Sequence, residues 1–136
     1  MGRTAAEKVE IAGRLIEKVT SSGIGMDALY IDPLVFPVGA DSNYARATLD
    51  AIEEIMKQFQ GVHTVCGLTN VSHGLPNRKL VNRTFLAEAV ARGLDAAILD
   101  PADKQTLGAL RAALMLMGKD EYCMGYIKAF RKGLLA

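Results

Sequence analysis

The chain has 136 residues, half of them apolar, enough for one domain with its own core and too apolar for a disordered segment. Its 16 basic and 15 acidic residues leave a net charge of +1 with no long run of either sign, which excludes a nucleic-acid footprint or a polybasic membrane patch. Cys66 and Cys123 stand far apart without a CxxC pair, no apolar run can span a bilayer and the N-terminus is polar, so the reading is a soluble cytoplasmic protein with reduced core thiols and no metal site.

Thr4-Ala-Ala-Glu7 has the form of a capping box, and Val9, Ala12, Ile16 and Val19 follow at helical spacing until Gly23 and Gly25 end the pattern. Ala28 to Asp32 reads as a short apolar strand ending in Asp-Pro, because Pro33 cannot continue a central ladder and biases Asp32 toward extended geometry. An irregular apolar loop, Leu34 to Val38, leads to a second helix over residues 43–60. Its buried face is Ala47, Ala51, Ile55 and Phe59, and Gly61 closes it. Val62 to Cys66 is a second strand, rich in β-branched residues, and Leu80 to Ala91 a third helix through Val81, Phe85 and Ala89. Ala96 to Leu99 is a third apolar run, again ending in Asp-Pro. There Asp100 suits an N-cap with Pro101 at the first helical position, ahead of the stripe Leu107, Leu110, Leu114 and Met117. A last helix over about residues 121–132 carries Met124, Ile127 and Phe130.

Residues 1–136 thus form one domain in which an opening helix precedes three strand-helix units and a closing helix, the rhythm of a parallel α/β fold with right-handed crossovers. Three parallel strands leave two open edges, and a parallel sheet normally has both faces covered. A (βα)8 barrel takes about 250 residues, so this chain corresponds to its last three strands, and a doubly wound sheet would need further strands as well. In both architectures ligands gather at the carboxyl ends of strands. Asp32, Gly67 to His73 and Ile98 to Asp100 all fall on that rim.

Cys66-Gly-Leu-Thr-Asn-Val-Ser-His-Gly-Leu-Pro-Asn-Arg78 stands out as the segment that presents polar groups there. Asn70 lies mid-loop among small residues, and a carboxamide can donate to a ring nitrogen without itself titrating. The same asparagine can instead hold a left-handed loop conformation, and Asp32 can simply satisfy a turn before its proline. Asp100 and Asn77 read as helix caps, and Arg78 is open between loop and site. His63 reads as a satisfied wall residue rather than a metal ligand, and Met115, Met117 and Met124 as core filler.

Asp32-Pro-Leu-Val-Phe-Pro37, Gly67-Leu-Thr-Asn-Val-Ser-His-Gly-Leu-Pro-Asn77 and Ala96-Ala-Ile-Leu-Asp-Pro101 resemble, in order and spacing, the C-terminal half of the methyltetrahydrofolate:corrinoid methyltransferases. These are pterin-binding (βα)8 barrels related to the folate domain of cobalamin-dependent methionine synthase. The resemblance covers essentially the whole chain but about half of the family's barrel. It implies transfer of the N5 methyl group of methyltetrahydrofolate to the cobalt of a corrinoid (cobalamin) held by a partner protein or domain. It further implies that Asn70 is the catalytic donor to N5 and that Asp32 binds the pterin. Gly67, Thr69, His73 and Ile98 match positions lining the pterin pocket. Serine is common in the family where Thr69 stands, and glutamine occurs where His73 stands.

One carboxylate can accept both the ring N3–H and the 2-amino group of a pterin, which suits Asp32, and a donor aimed at N5 favours the transition state over the ground state, which suits Asn70. His73 is a candidate to carry or relay a proton. Two other functions compete. Dihydropteroate synthases share the barrel and the Asp-Pro strand end but resemble Ser-Arg-Lys and Arg-x-His where this chain has Thr69-Asn-Val71 and Ile98-Leu-Asp100. An inactive split or truncated barrel that only folds, pairs or weakly binds pterin is the other. The expected partners are a corrinoid protein and either an N-terminal barrel half or a second copy of the chain.

Overall fold

In a computed structural model, which describes residues 1–135, the chain runs α1 (Ala5–Thr20), β1 (Tyr30–Ile31), α2 (Tyr44–Gln58), β2 (His63–Gly67), α3 (Arg78–Ala91), β3 (Ala96–Ile98), α4 (Lys104–Leu116) and α5 (Met124–Arg131). The helix and strand order is the one the periodicity predicts. The capping box is formed as expected: the Thr4 hydroxyl accepts from the Glu7 N–H, and the Glu7 carboxylate accepts from the Thr4 N–H.

Two caps differ from expectation. Asp103, not Asp100, caps α4, its Oδ1 accepting from the Gln105 and Thr106 amides at 3.1 and 3.2 Å. Asp100 instead closes an Asx turn, its Oδ1 accepting from the Ala102 N–H at 2.9 Å, because Pro101 begins a turn rather than the helix. Asn77 precedes α3 in the left-handed conformation (φ 47°) and makes no side-chain cap.

β1 pairs with β2 and β2 with β3, all parallel, with Tyr30 opposite His63, Ile31 opposite Thr64, Val65 opposite Ala96 and Gly67 opposite Ile98. Spatial order follows chain order. Successive right-handed crossovers in one direction put α2 and α3 on the same face, so the sheet has no point at which strand order reverses. Consecutive units of a (βα)8 barrel wall have this arrangement, and so does one half of a doubly wound sheet.

The helix-covered face is closely packed: Thr64 and Cys66 of β2 are fully buried, and Ile52, Leu86 and Ala89 from α2 and α3 close over them. A second cluster joins Ala12 and Ile16 of α1 to Ile55 and Val62. The opposite face is open. By strand alternation it carries Tyr30, His63, Val65, Gly67 and Ile98, and Tyr30 and Ile98 are 57% and 68% exposed. His63 is satisfied there, as expected of a wall residue: its ring stacks on Tyr30 with centroids 4.6 Å apart, and Nδ1 lies 2.5 Å from Asp95 Oδ2.

Three apolar expectations fail at the C-terminal end. Met117 and Met124 are exposed rather than core filler, and Cys123 is exposed whereas Cys66 is buried. The stripe of α5, Met124, Ile127 and Phe130, also faces outward: α5 packs against α4, and Ala129 is its buried residue. Among the described residues no helix is long and apolar enough to cross a membrane.

Candidate functional site

Asp32 follows β1 directly and Pro33 follows it, so the chain must leave the sheet there. The turn closes on the aspartate itself: Oδ1 accepts from the Leu34 N–H at 2.8 Å. Leu34 takes φ 59°, a left-handed conformation that costs a leucine about 1–2 kcal/mol. The carbonyls of Pro33 and Leu34 both accept from the ammonium of Lys8, each at 2.6 Å. Lys8 comes from α1 and is only 5% exposed, with Nζ 4.5 Å from the centre of the Phe36 ring. Burial pulls its pKa down, and the nearby Asp32 charge opposes that shift. The neighbouring Cys66 thiol is pushed up to about 12, by burial first and by Asp32 second.

The segment after β2 is a 3-10 turn, Leu68–Ser72, anchored from below by the buried side chains of Leu68 and Val71. Those anchors turn Thr69 and Asn70 outward. The Asn70 side-chain amide donates to the Val35 carbonyl, and the Val38 N–H donates to the Val71 carbonyl at 3.0 Å. The loops after β1 and β2 are therefore bonded to each other. Arg78, at the start of α3, reaches back over the turn: Nε donates to Ser72 Oγ at 3.1 Å and Nη2 to the Thr69 carbonyl at 2.7 Å. That gives Arg78 a structural task that sequence alone left open.

Of the residues singled out in the sequence, Asp32 and Asn70 come together. Both sit beyond the carboxyl ends of parallel strands, and Asn70 bonds to a residue three positions after Asp32, so at most about 11 Å of extended chain separates the two anchor points. Gly67 and Ile98 are register partners, and Ile98 projects from the open face. Thr69 is exposed with its carbonyl held by Arg78. His73 is exposed beyond the turn, linked to it by its backbone N–H to the Asn70 carbonyl at 3.1 Å.

Lys8 was missed because lysine reads as solvent-facing. The available signal was its place on the buried stripe, four and eight residues before Ala12 and Ile16. Asp32 and Asn70 each keep free capacity. The Asp32 carboxylate has one unengaged oxygen, and the Asn70 carboxamide has a second N–H and its oxygen. Among the described residues no group of three or more His, Cys, Asp or Glu is placed to hold a metal ion.

Residues 1–100 match the model of a family described as pterin binding enzyme. The chain belongs to that family. Over 130 residues, 96% of its length, this pterin-binding enzyme family member is 33% identical to the methylcorrinoid:tetrahydrofolate methyltransferase of Eubacterium limosum, of which it covers 48%. It is 41% identical over 104 residues to the methionine synthase of Mycobacterium leprae and 39% identical over 104 residues to that of Mycobacterium tuberculosis. In each case 71% of this chain matches 9% of the relative. The chain thus spans about half the length of the first relative and a small part of the other two.

Proposed function

We propose that the chain contributes the pterin-gripping wall of a methyltransferase that moves the N5 methyl group of methyltetrahydrofolate to the cobalt of a corrinoid carried by a partner protein. The observation that carries this reading is the Asn70 carboxamide, pinned through one N–H to the Val35 carbonyl with its other polar groups free, on a loop bonded to the one that bears Asp32. Asp32 would accept from the pterin N3–H and 2-amino group through its open oxygen and fix the ring's orientation. Gly67, Thr69, Ile98 and His73 would border the ring, with Gly67 leaving room where no atom lies within 4 Å of an added Cβ.

As the methyl group passes to the partner's reduced cobalt, whose electron pair forms the new bond, the pair of the N5–methyl bond stays on nitrogen. The free N–H of Asn70 stabilises the charge that builds there, and a proton from solvent neutralises it. A preorganised donor needs no reorientation during the step, which is why the Val35 bond matters. The name of the Eubacterium relative gives the transfer in the opposite sense, from methylcorrinoid to tetrahydrofolate. The same donor serves both directions, because one transition state is crossed either way. The open sheet face and unpaired β1 edge support completion of the wall by an N-terminal barrel half or a second copy of the chain.

The test replaces the matching segment of the Eubacterium enzyme with this chain and follows methyl transfer to or from a corrinoid protein through the corrinoid absorbance. Transfer should persist and fall about 10²-fold or more with Asn70→Ala. Transfer that is indifferent to Asn70→Ala removes the catalytic assignment. A swapped protein that folds but binds no methyltetrahydrofolate removes the folate reading altogether.

A further inference from the structure

Lys8 is the one lysine that is nearly excluded from solvent, and it spends two of its three N–H donors on successive carbonyls, those of Pro33 and Leu34. A buried ammonium is a poor choice for merely filling space beside Ala12 and Ile16 on an otherwise apolar stripe, since its desolvation must be offset by these bonds and by the Phe36 ring. The peptide it grips has a second hold. Leu34 is in the left-handed region, its carbonyl bound by Lys8 and its N–H bound by Asp32 Oδ1. Relaxing Leu34 to an ordinary backbone conformation would swing both groups, breaking the Lys8 bond and releasing the carboxylate together.

We propose that Lys8 is a positioning residue for the pterin site: by clamping the Pro33 and Leu34 carbonyls it holds Leu34 in its left-handed conformation, and through the Leu34 N–H it fixes the Asp32 carboxylate in the orientation that receives the pterin. Lys8 does not itself reach substrate, because its head is enclosed by the loop carbonyls and the Phe36 ring. It acts through Asp32. The inference rests on the proposed pterin site and adds to it a residue from α1, an element that bears none of the groups facing the ring.

The test titrates methyltetrahydrofolate into the Eubacterium enzyme carrying this chain in place of its matching segment, and into the Lys8→Met, Asp32→Ala and double variants of that protein, with thermal unfolding recorded for each. Lys8→Met should weaken binding by the folded protein about tenfold, and Asp32→Ala by at least as much. The double variant should bind no more weakly than Asp32→Ala alone, because the two residues act in series. Adding Leu34→Gly to Lys8→Met should restore part of the lost affinity, since glycine takes the left-handed conformation without a clamp. If Asp32→Ala weakens binding and folded Lys8→Met does not, or if the two losses add, the Lys8 inference is overturned while the folate reading stands. If the unsubstituted swapped enzyme folds but does not bind, or its Asp32→Ala variant binds equally well, the pterin site and this inference fall together. Should Lys8→Met not fold, Lys8→Leu, which also lacks a donor, takes its place, and undiminished affinity there overturns the inference equally.

Discussion

Asn70 shows how one side chain can answer two readings at once. As a loop asparagine it is structural, tying its turn to Val35; as a carboxamide it has a second N–H to spare. Asn70→Asp separates these roles from simple truncation. A carboxylate of the same shape has no proton for Val35 and sets two acceptors face to face, so Asn70→Asp should lose at least as much transfer activity as Asn70→Ala and also lower the thermal midpoint. Activity retained at neutral pH by Asn70→Asp would contradict the donor role. The two cysteines offer an independent check on the site's surroundings. With Cys66 fully buried and its thiol at about 12, a disulfide reagent at about pH 8 should modify Cys123 alone in the native protein and both thiols after denaturation. Modification of two thiols without unfolding would show that the floor under Asp32 is open. The left-handed conformation that the sequence allowed for Asn70 is not taken, and the left-handed non-glycine residues of the two loops' neighbourhood are Leu34 and Asn77 instead. The bond to Val35 was not legible, since it depends on how two loops distant in sequence meet.

At the scale of elements, helix starts were read where local chemistry decides them and misread where it offers rivals. Thr4 and Glu7 close a box that needs nothing beyond the first turn. Asp100 and Asp103 are both competent caps three residues apart, and Asp100 is drawn into an Asx turn instead, which leaves the helix to Asp103. The consequence is a pH dependence. The backbone bond from Thr106 holds the Asp103 carboxyl below its ordinary value, as the Arg3 N–H does for Glu7 and the Lys57 ammonium for Glu53. A lowered folded-state pKa means that the stabilisation is complete above the unfolded carboxylate range, about pH 4, and is lost as pH falls through the lower folded values. The thermal midpoint should therefore drop as pH falls below the ordinary carboxylate range of about 4, and Asp103→Asn, which keeps an acceptor at the cap but cannot titrate, should flatten part of that drop. A midpoint that is equally steep in Asp103→Asn would assign the acid lability to other groups.

For the molecule as a whole, the strand count and parallel order were readable from three apolar runs each followed by a helix, and the missing cover was readable from their number. Which face would be bare was not, because near-continuous apolar strands carry no alternation to mark it. Tyr30 and Ile98 mark it by their exposure. The α5 stripe was misread for a related cause: helical periodicity reports an apolar side and is silent on whether anything lies against it. With β1 unpaired on one side and a bare sheet face, the chain alone should bind an apolar-surface dye and sediment above monomer mass as concentration rises. A dye-silent monomer at all concentrations would show that these surfaces need no cover.

The bonds from Asn70 to Val35 and from Val38 to Val71 have one more implication. They gear the two rim segments together, so that neither can drift without dragging its neighbour. On the proposed reading, in which the two segments grip one heterocycle, a substitution that retunes the grip on one end is transmitted to the other, and changes in substrate preference should arise as paired replacements, one in each segment, rather than singly.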